Sequence, residues 1–189
     1  PVPGLAFVFH EWQCNFSGNM CGVSQCNPFW RWMYCFHNGD MLSLILGADN
    51  NLSEAWCRPW SEKFPEQDAL VSLVRDLKLI RKKHPSFLLE GRMVRPFISC
   101  ESRPAKTRYG LWNITGMMET SEVLTSFWEN AKGERIGFAS NWREEPSELK
   151  ITHADGRVEV RRLAPHETRM DFAVFPAANL NLAYCLTAK

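Results

Sequence analysis

The chain has 189 residues, 45% of them hydrophobic and 23% charged, with a formal net charge of +1. That length holds one large domain or two small ones, and the apolar content is that of a globular chain, not a disordered one. The balanced charge gives no drive towards nucleic acid, and no apolar run reaches the roughly 18–20 residues that cross a bilayer.

The sequence opens Pro1-Val2-Pro3-Gly4, with neither an initiator Met nor a signal-like segment, and is expected to be a piece of a longer protein. Residues 5–9 (Leu-Ala-Phe-Val-Phe) read as a buried strand, short and apolar behind the Pro-Gly break. This strand delivers His10, Glu11 and Trp12 at its C-terminal end, where parallel α/β barrels place their functional side chains. Residues 13–26 are polar and read as a long loop. Asn27-Pro28 then offers an N-cap with proline in the first helical position, which predicts a helix over Phe29–His37 that stops at Asn38-Gly39.

A second buried strand is expected over Met41–Leu46, ending in Gly47-Ala48-Asp49, again with a carboxylate just past the strand. Residues 50–64 form a second loop in which Glu54, Trp56, Arg58, Trp60 and Glu62 alternate polar and aromatic character. The helix after Pro65 is the clearest element. Leu70, Leu73, Val74, Leu77 and Ile80 follow helical spacing, Arg81-Lys82-Lys83-His84 favour its C-terminus, and Pro85 stops it. Strand, long loop, helix, repeated once, is a βαβα pattern with its functional side at the loops after the strands.

From about residue 90 the pattern changes. Residues 91–99 read as extended and 101–119 as irregular. Short alternating strands follow at 123–128, 135–142, 147–152, 157–163, 168–175 and 181–186, separated by Ala131-Lys132-Gly133, Glu145-Pro146, Asp155-Gly156 and Ala164-Pro165. Short strands at this spacing predict an antiparallel sandwich. The expected division is therefore 1–89 as the α/β part and 90–189 as the sandwich.

Glycosidases set two carboxyls across the scissile bond, about 5–5.5 Å apart for retention or 6.5–9.5 Å for inversion. Glu11 and Asp49 end two consecutive predicted strands and could face one cleft; pairing of Glu11 with Arg31 or Arg58, and capping of a turn by Asp49, are the structural alternatives. His10 reads as a hydrogen-bonded wall residue. Eight Trp is a high count for this length, and indoles serve either as core or as flat platforms for sugar rings. Seven Cys without metal-like spacing read as reduced, mostly buried thiols. A Cys14–His10 nucleophile and a His10/Glu11/Asp49 metal site both lack supporting spacing or a further ligand.

The order of features resembles the C-terminal end of a family of large bacterial glycoside hydrolases with an α-galactosidase-like (β/α)8 barrel and a C-terminal β-sandwich. The resemblance is carried by FVFHEW (7–12), GDMLSLILGAD (39–49), LIRKKHPSFL (79–88), EGRMVRPF (90–97) and SFWENAKGERIGFASNWREEP (126–146). It implies that 1–89 supplies the last β/α units of the barrel and that the ligand is a carbohydrate. It places Glu11 as the candidate catalytic residue here, with His10, Trp12, Asp49, Glu54, Trp56 and Trp60 contacting substrate. The main carboxylates would lie on earlier strands, so the chain alone would be inactive and would depend on upstream strands of its own polypeptide. No cofactor, metal, nucleic acid or membrane is implied, and an extracellular or periplasmic bacterial location is. The alternative is a non-catalytic carbohydrate-binding or accessory sandwich.

Overall fold

The computed structural model describes residues 7–8, 10, 16–17, 26–42, 67–111 and 114–175. Helix α1 spans Pro28–His37, and its start is set as the sequence predicts: the Asn27 side chain accepts from Trp30 N at 3.2 Å and Pro28 fills the first helical turn. It ends where Gly39 adopts φ +76°, a conformation open to glycine without strain. A short strand, β1 (Phe16–Ser17), pairs in parallel with β2 (Met41–Leu42) on the other side of α1. Two corrections belong here. Phe7 and Val8 are helical, not part of a strand, and the parallel partner of β2 comes from the segment expected to be loop. A short apolar run carries no periodicity that separates strand from helix, which is why Phe7 and Val8 misled; residues 5, 6 and 9 of that expected strand lie outside the described residues.

Helix α2 (Gln67–Lys83) buries Leu70, Leu73, Val74 and Leu77 and is followed at once by the short α3 (Pro85–Leu88). Strand β3 (Arg92–Met93) then joins one sheet and β4 (Ser99–Glu101) another, so the extended segment between them crosses the edge of the sandwich. Strands β5 (Pro104–Leu111) and β6 (Ile114–Ser121) form a hairpin paired from Pro104↔Ser121 to Leu111↔Ile114, where irregular chain was expected. The hairpin lies against α1: Thr107 Oγ1 accepts from Asn27 N at 3.4 Å, and Trp30 Nε1 donates to Thr120 Oγ1 at 3.3 Å.

The remaining strands are β7 (Val123–Glu129), β8 (Arg135–Asn141), β9 (Ser147–Thr152), β10 (Val158–Leu163) and β11 (Thr168–Phe175). They build a four-stranded sheet ordered β11-β8-β7-β3 and a three-stranded sheet ordered β10-β9-β4, with every pairing antiparallel. The architecture is mostly antiparallel β-sheet with few helices, as a β-sandwich requires. Among the described residues no barrel sheet forms, and the only parallel pairing is the two-residue step β1–β2.

Strand alternation sends β7 and β8 side chains to two different cores. Val123, Phe127 and Ala139 face the smaller sheet and pack with Leu149, Ile151 and Leu163. Trp128, Ile136 and Phe138 face the other way, into a core built with Trp32, Met33 and Phe36 of α1 and Leu70 and Leu77 of α2. The result is three layers, helices on sheet on sheet. One core thus contains residues from both sides of the expected division at 89/90.

Candidate functional site

The joint between α1 and the four-stranded sheet holds a buried polar cluster. His37, the last residue of α1, is driven into the sheet by its apolar neighbours and is 5% exposed. Its Nδ1 lies 2.7 Å from Ser126 Oγ on β7, and its Nε2 lies 2.8 Å from Ser140 Oγ on β8. Trp128 Nε1 donates to Ser126 Oγ at 3.0 Å, and Ser140 Oγ meets Thr168 Oγ1 on β11 at 2.7 Å. Ser126 Oγ, which accepts from the indole, also meets His37 Nδ1, and Ser140 Oγ joins His37 Nε2 to Thr168 Oγ1, so both ring nitrogens and both serine hydroxyls are partnered.

Serine at hydrogen-bond distance from histidine is the pairing a nucleophile and its base would use. Here it cannot serve that purpose. Burial lowers the His37 pKa to about 3, too weak a base at neutral pH, and Ser126 and Ser140 are themselves buried. The chain is a neutral, fully partnered strut that fixes how α1 sits on the sheet.

His10 lies at the rim of the same joint, buried at 5% exposure. Its Nδ1 is 3.2 Å from Gly91 O and its Nε2 is 3.2 Å from Gly39 O, and its ring stands edge-on to Trp128 with centroids 4.7 Å apart. Both ring nitrogens are occupied by backbone carbonyls, so the described geometry gives His10 an anchoring role. It fastens the N-terminal segment to the end of α1 and to the turn before β3. Arg81 of α2 reinforces the same turn, donating to Asp40 O and, at 2.7 Å, to Gly39 O.

Beyond Gly91, Glu129 bridges Arg92 (Nη2 at 2.5 Å) and Arg135 (Nε at 2.5 Å). Burial alone would raise its pKa, but hydrogen bonds and charge from Arg92 and Arg135 outweigh this and hold it below the ordinary carboxylate value. Glu129 therefore stays ionised and is unsuited to act as a general acid. Among the described residues no three His, Cys, Asp or Glu side chains gather as a metal ion would need, and no helix is long and apolar enough to cross a membrane.

Of the sequence-predicted site residues, Glu11, Trp12, Asp49, Glu54, Trp56 and Trp60 lie outside the described residues. Trp30, Trp32, Trp128 and Trp142 are core, each at most 7% exposed. Cys26 and Cys35 are buried, and burial pushes the Cys100 thiol pKa up to about 12, which keeps it protonated. The His37 cluster was missed. Its one local signal is a histidine closing an otherwise apolar helix; its partners lie 89 and 103 residues away. No family model matches the chain, and no curated protein or solved structure matches it either.

Proposed function

We propose that the chain is the C-terminal portion of a glycoside hydrolase, its first part contributing late β/α units of a barrel and its second part the sandwich packed on them. The observation that carries this reading is the parallel β1–β2 step around α1, joined through one core to two antiparallel sheets. A parallel pair needs a crossover element between its strands, and βα units supply it. The resemblance, not the β1–β2 step, puts Glu11 against the sugar, next to the anchored His10, with Trp12, Asp49, Glu54, Trp56 and Trp60 walling the site. The principal carboxylates come from earlier strands of the same polypeptide. An accessory module that stacks sugar on exposed indoles of the sandwich is less favoured, because Trp128 and Trp142 are buried.

Aryl α- and β-glycosides test this. The 189-residue chain is expected to give no turnover, while a polypeptide that also carries the earlier barrel strands is expected to be active. In that longer protein, Glu11→Gln should lower kcat/KM by about 10- to 100-fold, the effect of losing a charged hydrogen bond to substrate. Turnover by the short chain alone, or an unchanged kcat/KM in the Glu11 variant, would overturn the reading.

A further inference from the structure

A groove of ≈ 180 Å³ opens between the root of the β5–β6 hairpin and the smaller sheet, lined by Arg103, Glu122, Pro146, Ser147, Glu148 and Arg162. Its volume corresponds to about six waters, well below a drug-sized pocket and suited to one small ring. The charges around it are placed unusually. Arg162 and Glu148 sit directly opposite each other across β10 and β9. Arg103 and Glu122 leave neighbouring backbone positions, since Glu122 N donates to Arg103 O at 2.9 Å. Opposite charges so placed ordinarily close on one another. Neither couple closes here, and among the described residues none of the four side chains has an ion-pair or side-chain hydrogen-bond partner. All four residues line one small space.

We infer that this groove binds a single ring of a neutral carbohydrate, at a site separate from the Glu11 region and independent of turnover there. The chemistry selects the class. An anion would meet two carboxylates and a cation two guanidiniums, so a ligand of either net charge is opposed. Vicinal hydroxyls are donors and acceptors at once: they accept paired N–H bonds from an arginine and donate paired O–H bonds to a glutamate. Pro146 gives the only apolar wall. With no indole to stack on, affinity rests on hydrogen bonds alone. For about a dozen ligand atoms that gives a dissociation constant of ~1–10 mM.

The test is an NMR titration of the isotope-labelled 189-residue chain, following the arginine side-chain and β9–β10 backbone signals. The probes are glucose, galactose, mannose, glycine and sodium sulfate, each to 100 mM. At least one hexose is expected to give saturable shifts confined to residues around the groove. Arg162→Met and Glu148→Gln should each weaken that binding at least about 10-fold. Both side chains are exposed, so the melting temperature should not move, and that control separates lost binding from lost folding. The inference fails if no hexose saturates, if glycine or sulfate binds more tightly than every sugar, or if the variants bind like the parent. Failure of the glycosidase reading would show as absent turnover in the longer protein and would leave this titration unchanged.

Discussion

The two faces of the four-stranded sheet solve one burial problem in different ways. The face towards the smaller sheet is closed by Val123, Phe127 and Ala139 against Leu149, Ile151 and Leu163, with no buried histidine among them. The face towards the helices is larger and aromatic, yet it embeds a polar strut running Trp128–Ser126–His37–Ser140–Thr168. Aliphatic packing is tolerant of small shifts and of pH. A buried hydrogen-bonded chain is neither, because each bond holds only at a set distance and direction. The sandwich interface is thus held mainly by area, whereas the helical joint is also held in one orientation and one protonation state.

Acid should break this comparison most strongly. His37 has a folded-state pKa of about 3 against 6.5 when solvated, so between those values the unfolded chain binds the extra proton. Its contribution is complete above pH 6.5 and is lost progressively as pH falls towards 3. For a shift of this size the loss is on the order of 5 kcal/mol, a large part of a domain's stability. Burial also lowers the pKa of His84 (assisted by Lys83) and of His166 (opposed by Glu144), and both add in the same direction. Glu129 is depressed below 4.5, so its loss begins only in stronger acid. Urea midpoints measured from pH 7 to 5 therefore isolate the histidines. The parent should lose stability steeply across that interval and His37→Gln much less; equal slopes would show that the strut does not govern acid sensitivity.

The sandwich strands between Val123 and Phe175 were legible in the sequence and the strut was not, for the same reason; the strand expected over 181–186 lies outside the described residues. Alternation along β9, with Ser147, Leu149 and Ile151 inward and Glu148 and Lys150 outward, is written in adjacent residues, and so are the turns at Gly133 and Gly156. Helix α2 announced itself through its apolar spacing. The β5–β6 hairpin did not, since Thr107 and Thr120 meet α1 through polar contacts while Met117 is left exposed. His37, Ser126, Ser140 and Thr168 are each ordinary in their own segments and acquire meaning only when three strands and a helix converge. As for the candidate site, His10 was expected to be a hydrogen-bonded wall residue. What no local pattern could supply is that its partners are the carbonyls of Gly39 and Gly91.

Two glycines with nearly the same backbone sharpen the contrast at a smaller scale. Gly39 at the helical joint has φ +76° and Gly156 at the β9–β10 turn has φ +83°, so alanine is strained at either position by about 1 kcal/mol. At Gly156 nothing lies within 4 Å of an added Cβ, and the cost should end there. At Gly39 the same carbon would sit 2.1 Å from His10 Nε2 and 2.6 Å from Trp128 Cη2. Overpacking there should bring the total to about 3 kcal/mol. Thermal melts of the two variants compare the rigid rim with the open one. A Gly39→Ala protein no less stable than Gly156→Ala would mean that His10 does not fill the joint.

The smallest effect tests whether the strut acts as a unit. Ser140→Ala removes the hydroxyl that meets both His37 Nε2 and Thr168 Oγ1, leaving a buried ring nitrogen without a partner, at a cost of about 1–3 kcal/mol. If the two residues are coupled as the hydrogen bonds require, the same serine change made in a His37→Leu background should cost less than about 1 kcal/mol, because no ring nitrogen remains to be orphaned. On the opposite face, Ile151→Val should cost about 0.5–1.5 kcal/mol in either background, since the apolar core around it contains no member of the strut. A double-mutant cycle by urea unfolding at pH 7 reads both. Additivity of His37 and Ser140 within about 0.5 kcal/mol would reduce the strut to independent contacts and remove the distinction between the two faces of the sheet.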